Sequence, residues 1–460
     1  MTQVLDEATS LCPECFAAVP CQYEERDGQV FQTKRCSEHG AFSSLYWHDA
    51  DHYRWTRTYR EPERAQEAAG CCDGAPGRRK CLAVVNVTDN CNLACSYCFA
   101  SSRPGLADVP FEEVKGLLRT VIDQSGGPTP IQFSGGEPTT RDDLPELLLT
   151  AAGLGFEHME VNSNGIRIAQ EEGYAAQLKA AGATTVYLQF DGFGEDVYTA
   201  TRSRSDLTPI KEAAVAACRA AGLPVILVPT VVAGVNDHQL GDIVRFALAN
   251  LDVVRGINFQ PVSHFGRHKH DTGHLSLPRI HELLAEQTGF LQADDLRQVP
   301  CCSPNCSSAT MLMAIGDGQG ESATAMPLTR FVTEEAYRDV VSAFEAKRFM
   351  DLLAGRADGV DAAVEAAACC GIDVPAGLDA LMPRTLAVTV TGFMDADTVD
   401  VERLGQCCIN VPTKEGRLVP FCGYNLTTRD GRYALREQYA RDAIQAQQAA
   451  AAPGSLPVVS

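Results

Sequence analysis

The chain has 460 residues, 45% hydrophobic and 21% charged, an ordinary globular make-up for two to four domains. Its formal net charge of −20 opposes a nucleic-acid backbone as partner and reads as solubility. The first ten residues hold Asp6 and Glu7 but no basic and apolar signal pattern, and no stretch has the apolar length of a membrane span, so a cytoplasmic protein is expected.

Nineteen cysteines are the anomaly. A reducing compartment leaves no place for a disulfide framework, and thiols at this density point to metal. The first group opens the chain: Cys12-Pro-Glu-Cys15, then Cys36-Ser-Glu-His39, the spacing of a zinc ribbon or rubredoxin-like knuckle. Cys12, Cys15, Cys36 and His39 are the preferred ligands, with Cys21 an alternative to His39 and with zinc and iron both open. A hairpin is predicted over residues 23–32, turning at Asp27-Gly28. This metal module is assigned to residues 1–60. Polar, Gly/Arg-rich residues 61–80 read as a linker, with Cys71 and Cys72 inside it.

From residue 82 the pattern changes to short apolar runs alternating with amphipathic ones. Strands are predicted at 82–88, 131–133, 158–162, 185–190, 225–231 and 256–261, each bounded by Gly, Pro, Asn or Asp. Between them, Val114, Leu117, Leu118, Val121 and Ile122 mark one apolar helix face, and 144–152, 175–181, 210–221 and 240–248 behave alike. Cys218 lies in one of these helical runs and is read as a small buried thiol. Six alternations predict parallel βα units. That is too few for a closed eight-stranded barrel, so the fold expected over 81–270 is α/β, an open partial (β/α)6 TIM-like barrel.

The sharpest motif follows the first strand: Cys91-Asn-Leu-Ala-Cys95-Ser-Tyr97-Cys98. Three thiolates in one loop suit three irons of a 4Fe–4S cubane, leaving the fourth iron without a protein ligand. An open position of this kind separates catalytic from structural metal sites. A structural zinc loop is the competing reading, but no fourth ligand lies nearby. The second strand ends in Gly135-Gly136-Glu137-Pro138, where glycines allow close approach of the backbone to a ligand. Strand ends are where parallel barrels keep their ligands. Ser163 and Asn164, then Asp191, then residues 230–236 occupy the next ones, a plain loop role being the alternative for each.

Downstream of residue 270 the βα rhythm stops. Cys301, Cys302 and Cys306, then Cys407 and Cys408, then Cys422 flank a mixed segment. Cys301, Cys306, Cys407 or Cys408, and Cys422 are a candidate set for an auxiliary 4Fe–4S cluster, against a reading as buried free thiols. Cys81 is a further candidate ligand with Cys71 and Cys72, whereas Cys369-Cys370 reads as structural. Residues 271–440 are assigned to a C-terminal auxiliary-cluster domain and 441–460 to a flexible tail.

The cysteine loop at the end of the first strand, with Gly135-Gly136-Glu137-Pro138 at the second, resembles the radical S-adenosylmethionine (SAM) superfamily. The resemblance implies that Cys91, Cys95 and Cys98 hold the cluster that cleaves SAM to a 5′-deoxyadenosyl radical. It also implies that Gly135, Gly136 and Glu137 meet the SAM amino group, and that Tyr97 and residues 230–236 flank adenine. The order Cys12-x-x-Cys15, Cys36-x-x-His39, the 91–98 loop, Cys306-Ser-Ser, Phe393-Met-Asp and Pro420-Phe-Cys422 is similar to one subgroup over about residues 11–440. It contains the archaeal 7,8-dihydro-6-hydroxymethylpterin methylases and the tetraether lipid synthases. This implies C–C bond formation after hydrogen abstraction, auxiliary clusters, a flavodoxin- or ferredoxin-type electron donor, and a one-carbon unit from a methylene-tetrahydrofolate-like donor. The chain departs from the subgroup before the barrel, where Cys71-Cys72 replaces a richer cysteine run. Methylation of a pterin-like small molecule is the leading expectation and coupling or modification of a lipid or peptide the alternative. A polar, stacking pocket would favour the first and a long apolar channel the second. A non-enzymatic zinc scaffold leaves the Gly135–Pro138 motif unexplained.

Overall fold

The computed structural model describes residues 3–58, 80–269, 272–299, 303–315, 324–335, 337–338, 350 and 384–435. Cys71, Cys72, Cys301, Cys302, Cys369 and Cys370 lie outside these residues, as do most of the expected linker and the tail.

The N-terminal strands β1 (Gln3–Leu11), β2 (Ala18–Arg26), β3 (Gln29–Cys36) and β4 (Gly40–Trp47) form an antiparallel meander in sequence order. Arg26 pairs with Gln29 across Asp27-Gly28, whose φ values of 51° and 77° give the doubly left-handed turn that a two-residue hairpin requires. Alternation along β2 buries Val19, Cys21 and Tyr23. Tyr23 donates to Asp400 at 2.8 Å, Ser10 to the Val399 carbonyl at 2.6 Å and Lys34 to the Ala396 carbonyl at 2.8 Å, which docks the meander on the loop 396–400.

Six parallel strands follow: β5 (Leu82–Thr88), β6 (Ile131–Gly135), β7 (Met159–Ser163), β8 (Thr185–Gln189), β9 (Val225–Val228) and, after the two-residue β10 (Thr230–Val231), β11 (Val254–Pro261). They lie side by side in the order 5-6-7-8-9-11. The predicted run 225–231 is divided by Pro229, which has no N–H for a ladder. Helices Phe111–Ser125, Leu144–Gly153, Tyr174–Ala180, Leu207–Ala221 and Leu240–Ala249 occupy the predicted connections. Ile166–Gln170 and Glu195–Arg202 are additional helices, too short to show periodicity in the sequence.

The sheet does not stop at six strands. After β12 (Arg297–Gln298), β13 (Ser307–Ile315) and β14 (Thr324–Pro327), β15 (Thr385–Thr391) joins β11 in parallel. β16 (Ile409–Pro412) joins β5 in parallel at the opposite edge, followed by β17 (Leu418–Pro420). The segment after 270, expected as a separate domain, thus extends both edges of the core sheet, which runs from β12 to β17 without closing.

Two faces of this sheet differ in chemistry. Val161, Val186, Leu188, Ile257 and Phe259 are buried in the main apolar core. Their neighbours Asn162, Tyr187, Gln189, Asn258 and Gln260 line a cavity. Among the described residues, no helix is long and apolar enough to cross a membrane.

Candidate catalytic and metal sites

The cavity is bounded at one end by the loop that leaves β5, with Cys91, Cys95 and Cys98 all in its wall. Backbone pairing fixes this loop. Gly136 N–H donates to the Thr88 carbonyl at 2.7 Å and Glu137 N–H to the Asn90 carbonyl at 2.8 Å. A Cβ at Gly135 would overlap the Thr88 carbonyl oxygen, and one at Gly136 the Asn90 carbonyl oxygen; Gly135 also has φ 116°. The two glycines therefore dock β6 onto the residues that lead into the cysteine loop. On the far side Cys98 and Arg267 exchange backbone hydrogen bonds at 2.8 and 3.0 Å. Arg267 also reaches the Cys95 carbonyl at 2.5 Å and that of Ser102 at 2.8 Å.

Glu137 is 1% exposed and fully engaged. One carboxylate oxygen accepts from Thr139 N–H at 3.1 Å, Thr139 Oγ1 at 2.6 Å and Ser163 Oγ at 2.9 Å; the other accepts from Asn164 N–H at 2.6 Å. Its side chain ties the end of β6 to the end of β7 and holds Ser163 and Asn164 against the cavity. Burial nevertheless raises its pKa against those donors.

Asp191, Arg202 and Thr230 form the next layer. Arg202 donates to both Asp191 oxygens at 2.5 and 2.7 Å and to Thr230 Oγ1 at 2.8 Å, while Thr201 Oγ1 gives Asp191 a further bond at 2.9 Å. The pair is buried, and burial alone would favour the neutral acid; the Arg202 guanidinium overrides it and holds Asp191 below the usual carboxylate range. Asn236 donates to the Asp191 carbonyl at 2.7 Å and the Thr230 carbonyl at 2.8 Å, closing the 230–236 turn. Tyr97 packs with Val232, Val235 and Val262 beside that turn. Burial and the nearby Glu137 carboxylate push the Cys91 thiol up to about 12. Burial likewise raises Cys95, against the pull of Arg202.

A second thiol group adjoins the cavity where Phe421 and Ile409 are in its wall. Cys407 is raised well above the usual thiol range by burial and then by its neighbours Cys422, Cys306 and Cys408. Burial, with the Met394 N–H bond opposing it, leaves Cys422 at about 12. Arg403 is buried among them, donating to Cys306 Sγ at 3.1 Å, the Asn305 carbonyl at 2.7 Å and the Gly392 carbonyl at 3.0 Å. Cys306 and Cys422 thus meet from separate loops beside one cation, with Cys407 close to both, while Cys301 lies outside the described residues. Phe99, next to Cys98, packs on Phe421, next to Cys422, with ring centroids 5.5 Å apart.

The third group is in the meander. The ligand atoms of Cys12, Cys15, Cys36 and His39 all lie within 4.8 Å of one another. Cys12 and Cys36 sulfurs are 3.7 and 3.6 Å from His39 Nδ1, and Cys15 and Cys36 sulfurs are 3.9 Å apart. A tetrahedral zinc with bonds of about 2.0–2.3 Å separates its ligands by roughly 3.5–3.8 Å, so these four atoms fit a single ion. Cys21 lies instead in the main core with Tyr23 and Tyr53, which removes it as an alternative to His39. Among the described residues no other group of histidines, cysteines and carboxylates gathers this tightly.

Arg202, Arg267, Arg403 and the buried Lys211 carry no motif and were not foreseen. Lys211 donates to the Gln189 side-chain oxygen at 2.7 Å, directly behind the cavity wall.

The profile of the Radical SAM superfamily matches residues 85–247, and that of the HMPTM N-terminal zinc ribbon domain matches residues 4–48. A 7,8-dihydro-6-hydroxymethylpterin dimethyltransferase of Methanocaldococcus jannaschii is 34% identical, over 91% of this chain and 93% of its own. A GTP 3′,8-cyclase of Geobacter sulfurreducens is 28% identical over 50% of this chain and 69% of its own. Streptococcus suis SuiB, a solved structure, covers 46% of each chain at 17% identity with a TM-score of 0.38. By its identity over nearly the whole length of the Methanocaldococcus relative, the chain belongs to the radical SAM superfamily, in the family of that dimethyltransferase, and is a radical SAM enzyme with an N-terminal zinc ribbon domain.

Proposed function

We propose that this enzyme forms a C–C bond on a pterin-like small molecule, methylating it as the name of its Methanocaldococcus relative implies for that protein. The observation that carries the substrate class is the cavity's polar lining, where Gln132, Asn162, Tyr187, Gln189, Asn258 and Gln260 share one cavity with the three loop cysteines. Most of these carboxamides are tied to protein partners, but Asn258 Oδ1 is buried with none; an isoprenoid chain would leave it so, whereas a polar heterocycle satisfies it. That weighs against the lipid-coupling alternative.

In this reading Cys91, Cys95 and Cys98 hold the 4Fe–4S cluster, and Tyr97, Gly135, Gly136, Glu137, Ser163, Asn164 and Asp191 form the SAM site. When bound, cluster and SAM together supply a carbon radical that removes hydrogen from the substrate. The chain's own residues orient and insulate. Glu137 holds the Ser163–Asn164 turn, Arg202 sets a fixed positive charge beside Cys95, and Leu93, Phe99 and Phe265 cover the apolar side of the cavity. Cys306, Cys407 or Cys408, and Cys422 hold an auxiliary 4Fe–4S cluster, completed by Cys301. Arg403 offsets its negative charge. Residues 1–60 are the zinc module, 81–270 the SAM core and 271–440 the auxiliary-cluster segment. An external flavodoxin- or ferredoxin-type donor in the cytoplasm supplies electrons.

The test is anaerobic reconstitution followed by incubation with SAM, reductant, methylene-tetrahydrofolate and 7,8-dihydro-6-hydroxymethylpterin. Formation of 5′-deoxyadenosine together with a methylated pterin by mass spectrometry supports the reading. Failure to change the pterin, with turnover of an isoprenoid lipid instead, overturns it.

A further inference from the structure

The cavity wall contains a polar unit that the SAM site does not use. Tyr187 on β8 points past β9 toward β11, where two carboxamides converge on its phenolic oxygen. Asn258 Nδ2 donates to it, and Gln260 Nε2 donates at 3.1 Å. A phenolic oxygen has two lone pairs, and both are then occupied. Its own O–H, the remaining valence, donates in none of the hydrogen bonds among the described residues, although burial keeps the phenol protonated well above its usual range. Asn258 has spent its nitrogen on Tyr187, and its Oδ1 is buried with no hydrogen-bond partner. All three side chains line the cavity. The wall therefore offers a free O–H donor next to a free carbonyl acceptor, and both must be met from outside the protein.

We propose that Tyr187 and Asn258, braced by Gln260, form the subsite that reads the lactam edge of the substrate, an N–H adjacent to a C=O in one ring. The substrate carbonyl takes the Tyr187 proton and the ring N–H donates to Asn258 Oδ1. The inference rests on the reading of the substrate as a pterin-like heterocycle and assigns the atoms that would recognise it. A buried pair left unmet by a ligand lacking that edge is where discrimination arises, since the unpaired groups then carry their full desolvation penalty.

The probe is 6-hydroxymethylpterin, whose own fluorescence reports binding, compared with its 3-N-methyl derivative, which lacks the ring N–H. On the reconstituted, SAM-loaded protein the parent is expected to bind about tenfold more tightly than the derivative. Tyr187→Phe and Asn258→Leu are each expected to weaken the parent about tenfold and to erase that preference. Circular dichroism melts check that the variants fold, and the ligand comparison on the unaltered protein needs no variant. Equal binding of the two ligands, or variants that bind the parent like the wild type, overturns the subsite. If no pterin binds but guanosine, which has the same edge, binds in a Tyr187-dependent way, the subsite stands and the pterin reading falls. Binding of neither overturns both.

Discussion

The zinc ribbon and the loop after β5 both gather cysteines, yet they do opposite things with them. In the ribbon four ligand atoms stand 4.8 Å or less apart, a complete set around one point. In the loop the three thiols all lie in the wall of a cavity, with no fourth ligand gathered beside them among the described residues. The hydrogen bond from His39 and the backbone N–H groups of residues 38 and 39 bring the Cys36 thiol down to about 6, ready to bind. Burial brings Cys91 up to about 12. A structural site is closed and prepared as the chain folds; a catalytic site keeps a vacancy, and its buried thiols ionise only as metal arrives.

That contrast breaks most sharply at Cys95. Cys95→Ala is expected to abolish reductive SAM cleavage while leaving the zinc content and the fold in place. Chromatographic assay of 5′-deoxyadenosine and metal analysis of the same sample check it; retained cleavage would mean that the loop is not the catalytic centre. Next is Gly136→Ala, which alters no ligand. The added Cβ must displace the Asn90 carbonyl, one residue before Cys91. We expect a loss of about tenfold or more in SAM cleavage and reduced iron uptake with zinc unchanged, because misplacing the loop by about an ångström is enough. A smaller effect is expected from Cys422→Ala. Iron and sulfide analysis should show loss of about four irons per chain, with SAM cleavage diminished but present. Unchanged iron would leave Cys306, Cys407 and Cys422 as plain buried thiols.

Much of this was legible beforehand, for identifiable reasons. The six parallel strands announced themselves because β-branched runs were bounded by turn residues, and the cysteine loop because all of its ligands sit within eight residues. β15 and β16 were not foreseen, since their partners β11 and β5 are far away in the chain. Arg202 escaped notice at the end of an eight-residue helix that shows no periodicity. Its importance comes from burial against Asp191, a tertiary fact. The polar cavity wall did leave a trace. A parallel strand covered on both faces should be apolar throughout. Yet Val186-Tyr187-Leu188-Gln189 and Ile257-Asn258-Phe259-Gln260 alternate, and that alternation marks a wet interior on one face.

The smallest effects belong to the ribbon, and they test whether it is as self-contained as the comparison implies. Cys15→Ser should release zinc while changing SAM cleavage by less than about twofold, because no ribbon ligand lines the cavity. The metal-free ribbon should also carry a pH signature. Cys36 sits at about 6 when folded, below the roughly 8.5 of an unfolded thiol. A group whose pKa is depressed by folding stabilises the folded state above its unfolded value and loses that contribution as pH falls through the folded one. The melting temperature of the chelated protein, followed at Trp47, should therefore fall between about pH 8.5 and pH 6, and Cys36→Ser should flatten the slope. Zinc should remove the dependence over the same range, since the bound thiolate no longer exchanges its proton with solvent. A slope that survives Cys36→Ser would assign the titration to another group and leave the ribbon no better prepared for its metal than the buried loop.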